Sequence, residues 1–188
     1  LNTGPNSYIC GFGDADNAQA LSLAKGETKN LTINGINYTV KNTNSKASNA
    51  LLYTVNPVTG AISFSGVNVN VTGQKDVSHN VELYGLNFKF YGGEKDDIIT
   101  MYAVNSTIYG EGGNDKLLIN NVSTAYGGAG DDEIIINSSG AAYGDEGDDI
   151  ITVNIANTGT INGGLGNDTY NINAKVTNLS DTGGDNIY

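Results

Sequence analysis

Acidic residues recur in this chain at a nearly constant interval, each set in a glycine-rich corner. The phrases GEGGND at 110–115, GGAGDD at 127–132, GDEGDD at 144–149 and GGLGND at 163–168 share one grammar, and GGEKDD at 92–97 is a looser copy. Their last acids are Asp97, Asp115, Asp132, Asp149 and Asp168, with Asp185 as a sixth, at steps of 18, 17, 17, 19 and 17 residues. A period of this length marks a repeat architecture, in which each unit is one supersecondary element stacked on the next.

The rest of each unit repeats as well. A Tyr-Gly pair opens four of them, at Tyr91-Gly92, Tyr109-Gly110, Tyr126-Gly127 and Tyr143-Gly144; Asn162-Gly163 opens the fifth. Three residues on stands a second glycine, Gly113, Gly130, Gly147 or Gly166, with Lys95 in its place in the first unit. A short apolar run follows each Asp: IITMY, KLLI, EIII, IITVNI, TYNI. A link of Asn, Ser and Thr then leads to a second short run and the next pair. β-Branched residues alternating with Asn and Thr favour strands over helices.

Each unit therefore reads as two short strands and two turns. Alone it buries no apolar face; stacked in parallel, with strands about 4.8 Å apart, it does. The expected fold is all-β, a right-handed parallel β-roll or β-solenoid of about 18 residues per coil over residues 81–188,. Leu117, Ile134 and Ile151 are expected to line up inward on one sheet. Phe90, Ile108, Ala125, Ala142 and Ile161 are expected to line up inward on the other. Residues 1–80 are expected to form a β-rich N-terminal cap region.

The charge of −11 is concentrated in the repeats: residues 91–188 hold fifteen acids and three lysines, the first ninety five acids and six lysines. An acidic half argues against nucleic acid as a partner and for cations. Glycine permits positive φ and close backbone approach, which turns carbonyls toward the gaps between stacked corners. The Asp carboxylates point into the same gaps. Carbonyl and carboxylate oxygens suit Ca²⁺, which takes six to eight oxygens in flexible geometry. Zn²⁺ calls for Cys or His, and the repeats hold neither; the single histidine, His79, lies outside them.

The candidate metal-binding residues are thus Asp97, Asp115, Asp132, Asp149, Asp168 and Asp185. With them stand Gly92, Gly110, Gly113, Gly127, Gly130, Gly144, Gly147, Gly163 and Gly166. Six corners leave five gaps, so about five Ca²⁺ ions are expected in one row, nearly cancelling the acidity of this half. Without metal, aligned carboxylates oppose the fold. At about 1 mM Ca²⁺ and a Kd near 0.1 mM, each site adds roughly 1.4 kcal/mol, and five add about 7 kcal/mol. That rivals the whole stability of a typical domain, about 5–15 kcal/mol. Asp96, Asp131 and Asp148, just before the ligands, are expected to face solvent or orient the loop.

These corners resemble the hemolysin-type repeat-in-toxin (RTX) nonapeptide G-G-x-G-x-D-x-U-x. GGAGDDEII at 127–135 and GGLGNDTYN at 163–171 match every fixed position, with Tyr170 at the apolar place. GEGGNDKLL and GDEGDDIIT lose the second glycine, GGEKDDIIT the fourth-position glycine, and SDTGGDNIY at 180–188 keeps little beyond Gly183, Asp185 and Ile187. The resemblance covers about half the chain. It implies calcium-dependent folding outside the cell in a type I-secreted bacterial protein, such as a toxin, protease, lipase, adhesin or S-layer protein. RTX rolls often carry calcium on both edges. Here the opposite edge reads AVNSTI, NNVSTA and NSSGAA, so the resemblance implies one calcium edge, the other being closed by Asn, Ser and Thr hydrogen bonds.

In the first ninety residues, LTINGINYTV at 31–40 reads as a hairpin around Asn34-Gly35, and LLYTVNPVTGAISFSG at 51–66 as another turning at 56–60,. VNVNV at 67–71 alternates as a strand. NVELYG and NFKFYG lead into the first acid corner. GQKD at 73–76 is a degenerate copy of the corner, read as a turn rather than a metal site. GFGDADN at 11–17 is read as a polar turn rather than a calcium loop.

No enzyme is expected, because no G-x-S-x-G or H-E-x-x-H motif and no nucleophile with a base is visible. Cys10 alone forms no intrachain disulfide and is read as a small apolar filler. No apolar run of membrane-spanning length occurs. Tyr91, Tyr109, Tyr126 and Tyr143 are expected to stack as an outward ladder covering sheet surface. The chain reads as a piece of something longer, ending within a repeat. Its expected role is a calcium-dependent structural and secretion module of a secreted or cell-surface bacterial protein. Its partners would be calcium ions, the type I secretion machinery, neighbouring domains of the parent protein or surface glycans. Two alternatives stand beside it: a ligand-binding adhesin module for glycan or ice, and an accessory domain of a secreted enzyme.

Overall fold

The computed structural model describes residues 18–184 and the backbone of 186 and 187. Cys10, the GFGDADN stretch at 11–17 and Asp185 lie outside the described residues. Every regular element among those described is a strand, and no helix is long and apolar enough to cross a membrane.

Among the described residues seven coils stack in parallel, each giving one strand to each of two sheets, and a last strand begins an eighth. The first sheet runs through β5 (Ile62–Val67), β7 (Asn80–Leu86), β9 (Ile98–Met101), β11 (Lys116–Ile119), β13 (Glu133–Ile136), β15 (Ile150–Val153), β17 (Thr169–Ile172) and β19 (Asn186–Ile187). The second runs through β6 (Val69–Thr72), β8 (Lys89–Gly93), β10 (Thr107–Gly112), β12 (Thr124–Ala129), β14 (Ala141–Glu146), β16 (Asn157–Leu165) and β18 (Val176–Ser180). The chain changes sheet at every corner, so strand neighbours are one whole coil apart in sequence. The architecture is the β-solenoid that the repeat implies.

Period-two alternation places the core. In β13, Ile134 and Ile136 are buried while Glu133 and Ile135 lie on the outer face,. Val81, Ile99, Leu117, Ile134, Ile151 and Tyr170 register as one inward column. Phe90, Ile108, Ala125, Ala142 and Ile161 form the facing column on the second sheet. All are fully buried. Each column holds side chains that the sequence periodicity assigns to it.

Parallel stacking begins at β5 and β6, so the coils reach back beyond residue 81, where the acid grammar places their start. The first coil, β5 with β6, lacks an acid corner, and the motif is silent about it. Antiparallel pairing is made by the strands before it: β1 (Gln19–Leu23) pairs with β4 (Asn49–Val55) and β2 (Thr28–Ile33) with β3 (Ile36–Asn42), and β3 and β4 join the stack antiparallel to β6 and β5. The β2–β3 hairpin turns at Asn34 (φ 51°) and Gly35 (φ 80°), the two positive-φ residues a type I′ turn requires. The β4–β5 hairpin turns where Asn56 accepts the amides of Val58 and Thr59. Each hairpin extends one sheet, and together they cover the N-terminal end of the stack.

VNVNV does not form one strand. Val67 ends β5, and Asn68, at φ 54°, turns the corner into β6. Asn87 and Asn105 repeat that left-handed turn at φ 51° each. Asn accepts this region more readily than a β-branched residue.

Candidate metal centre

One edge of the stack carries Asp97, Asp115, Asp132, Asp149 and Asp168 in a column, each 2% exposed or less. Their carboxylates form a ladder with the backbone. Asp97 N–H donates to Asp115 Oδ1 at 2.8 Å, Asp115 N–H to Asp132 Oδ1 at 2.7 Å, Asp132 N–H to Asp149 Oδ1 and Asp149 N–H to Asp168 Oδ1, both at 2.8 Å. Each carboxylate thereby ties its coil to the one before.

The second oxygen has no such partner. Oδ2 of Asp115, Asp132, Asp149 and Asp168 is buried and accepts no hydrogen bond. In each coil it lies against the Cα of that coil's first glycine: Gly110, Gly127, Gly144 or Gly163. A Cβ there would overlap it, and at Gly110, Gly127 and Gly144 also the carbonyl of the next first glycine along. Gly92 stands in the same relation to Asp97 Oδ2 and the Gly110 carbonyl. The second glycines, Gly113, Gly130, Gly147 and Gly166, turn at φ 104°, 128°, 136° and 136°. A Cβ on Gly130, Gly147 or Gly166 would overlap the carbonyl of Gly113, Gly130 or Gly147, respectively. At these positions a side chain would collide, because carbonyl and carboxylate oxygens crowd the gaps between corners,.

This oxygen set fits a hard cation. Among the described residues no three His, Cys, Asp or Glu side chains converge, so a bound ion would draw on backbone carbonyls as well as carboxylates. Calcium uses such mixed sets. The five described aspartates bound four gaps; the fifth expected gap involves Asp185.

Electrostatics sharpen the point. Burial pushes the Asp132 carboxyl up to about 8, against the Asp115 amide, which lowers it; the Asp115, Asp149 and Asp131 charges add to the rise. Burial likewise raises Asp115 and Asp149 to about 7, the amide bond from the preceding Asp opposing in each case. Asp97 and Asp168 are raised by the same cause. A carboxylate that is half unsatisfied in a dry edge needs a proton or a cation.

A second, exposed ladder runs beside the first in the opposite sense. Asn114 N–H donates to Asp96 Oδ1, Asp131 N–H to Asn114 Oδ1, Asp148 N–H to Asp131 Oδ1 and Asn167 N–H to Asp148 Oδ1, at 2.8–3.0 Å. Here Asn and Asp interchange, because the position needs only an acceptor. The inner column, facing the same need, holds Asp in all five coils.

Two residues of the edge escape the sequence motif. His79, not Asp76, precedes Asp97 in the column: its N–H donates to Asp97 Oδ1 at 2.6 Å. Asp76 lies exposed off the column, accepting from the Gln74 amide group. Counting 18 residues back from Asp97 finds His79, so the histidine belongs to the repeat rather than outside it. At the other end, the register sets Asp181 beside Gly163, in the first-glycine column. Asp181 Oδ1 accepts the Gly164 amide at 3.0 Å and its Oδ2 is buried without a partner. The Tyr170 hydroxyl reaches the same corner and accepts the Gly163 amide at 2.6 Å.

The opposite edge is closed by amides and hydroxyls, as expected. Asn137 donates to Asn120, Asn154 to Asn137 and Asn173 to Asn154 through their side chains at 2.8–2.9 Å. Ser106 Oγ accepts the Phe88 amide, and Ser123 Oγ accepts the Ser106 amide. The four tyrosines stack as a ladder, with centroids 4.7, 5.1 and 4.8 Å apart and planes within 9° of parallel. Compared with protein-family models, curated proteins and solved structures, the chain gives no significant match to any of the three.

Proposed function

We propose that the aspartate edge is a row of calcium sites and that, at neutral to alkaline pH, filling the row is what shifts the chain from largely unfolded to the folded solenoid. The chain is then a structural and secretion module of RTX type within a larger, type I-secreted bacterial surface or extracellular protein, such as an adhesin, S-layer protein or toxin. One observation carries this reading: four successive buried carboxylate oxygens have no donor. Bound Ca²⁺ supplies the positive charge that these oxygens otherwise lack. Asp115, Asp132, Asp149 and Asp168 would hold it by their carboxylates, and the glycine carbonyls that crowd the gaps would complete the set. Asp97 and Asp185 would extend the row at its ends.

Mg²⁺ fits less well, because it keeps its waters and demands near-octahedral geometry, while these carboxylate oxygens are buried. In the low calcium of a cytosol, the ionised column opposes stacking and the chain stays extended, a state suited to passage through a narrow exporter. At millimolar calcium, mass action on several sites brings the stack together. The thermal midpoint in millimolar Ca²⁺, compared with excess chelator and with equal Mg²⁺, tests this. A rise specific to Ca²⁺ is expected; equal midpoints in all three would remove the calcium reading.

A further inference from the structure

We infer that His79 is the stop of the calcium row: its imidazole fills the place of the next carboxylate and closes the gap between His79 and Asp97 to metal. This rests on the calcium reading above and adds where the row begins.

The register is unambiguous. Thr72 pairs with Tyr91 and Asn80 with Ile98, so Gly73 corresponds to Gly92 and His79 to Asp97. A Cβ on Gly73 would overlap the His79 ring, as a Cβ on Gly92 would overlap Asp97 Oδ2. The imidazole thus occupies a cradle of the same construction and is 2% exposed. It needs nothing further. Nε2 lies 2.9 Å from the Gln74 carbonyl and donates to it. Nδ1 lies 3.2 Å from the Tyr38 hydroxyl, its hydrogen-bond partner. Neither ring nitrogen is free to ligate.

The surroundings are those of an end. The His79 ring packs 5.3 Å from Tyr38 and 6.0 Å from Phe90, and Phe64 sits 5.2 Å from Tyr38. This aromatic plug is built partly by the cap hairpin, and Gln74 Oε1 ties the hairpin turn down by accepting the Asn37 amide. Asp97 is satisfied as well: its Oδ1 accepts His79 N–H and its Oδ2 accepts Gly93 N–H at 3.1 Å. The unpartnered oxygens begin only at Asp115. Cap and row therefore meet at one residue, which ends the acid column with a self-satisfied ring instead of an exposed charge.

Native mass spectrometry during Ca²⁺ titration counts the ions. His79→Asp should bind one ion more than the wild-type chain. Folded His79→Asp that binds the same number overturns the stop. Asp97→Asn gives an answer that does not depend on the His79→Asp variant folding. A closed first gap means that Asp97 borders one site, so the variant loses no more than one ion; a loss of two overturns the stop. Wild-type protein that takes up no calcium overturns the underlying reading itself, a result distinct from either variant's.

Discussion

The amide of Asp115 donates to Oδ1 of Asp132, one coil ahead, at 2.7 Å, while Oδ2 of the same carboxylate is buried beside Gly127 with no hydrogen-bond partner. One half of the side chain holds the coils together; the other half is buried without a donor and, on the proposed reading, opposes them until a positive charge arrives. The same division recurs at Asp115, Asp149 and Asp168. It makes stability conditional rather than fixed, and the conditions can be varied one at a time.

Proton and metal should act as rivals. Folding raises the carboxyls of Asp115 and Asp149 to about 7 and of Asp132 to about 8, from an ordinary value of 3.8. A raised folded pKa favours the protonated form, so this contribution is complete below the unfolded value and is lost as pH rises through about 7 to 8. In chelator, the thermal midpoint should therefore fall from about pH 4 to about pH 8 and level off above,. In saturating Ca²⁺ that loss should vanish or reverse, because the metal replaces the proton. Thermal melts across this range, with and without metal, check both slopes.

Asp132→Asn should change sign with metal. The amide oxygen still accepts the Asp115 N–H, and the desolvated charge is gone, so in chelator at alkaline pH the variant should melt above the wild type. In millimolar Ca²⁺ it should melt below, having weakened the two gaps that Asp132 borders, roughly 3 kcal/mol at about 1.4 kcal/mol per site. Chemical denaturation under both conditions would reveal the crossing.

Gly127→Ala tests the cradle. The added methyl would overlap Asp132 Oδ2, and overpacking of this kind typically costs about 1–3 kcal/mol. The variant should also need more calcium to fold, because the carboxylate is pushed off its position. Urea midpoints at fixed calcium measure the first effect, and calcium midpoints at fixed urea the second.

Asn137→Ala provides the contrast. It breaks two links of the amide ladder on the far edge, to Asn120 and Asn154. Net hydrogen-bond contributions of about 0.5–1.5 kcal/mol each set the expected cost. Calcium stoichiometry should not change, since this edge carries no acid column. Calorimetric titration of the variant against wild type would show whether the two edges are independent.

Much of this was legible in the sequence because it is periodic. A repeat copies each decision, so Leu117, Ile134 and Ile151 announce a shared inward face, and Asn34-Gly35 announces its turn by the φ values it permits. The acid column followed from the same counting. What stayed hidden lay where the chain breaks its own rule. His79 does not look like an aspartate, yet it occupies the aspartate position; Asp181 stands where a glycine is expected. Asn68 interrupts an alternation that otherwise reads as one strand, because a corner and a strand residue can share the same polarity. The first parallel coil, β5 with β6, carries no acid corner, so only the pairing of strands brings it into the stack. The split between a bonded Oδ1 and a bare Oδ2 is a matter of atoms, below the resolution of any residue pattern.

The most direct test of the account is far-UV circular dichroism of the chain during a Ca²⁺ titration at neutral to slightly alkaline pH, with Mg²⁺ as control. The account predicts little β signal in chelator, a cooperative gain near millimolar Ca²⁺ and no comparable gain with Mg²⁺. A full β spectrum in excess chelator at that pH, unchanged when Ca²⁺ is added, would contradict it.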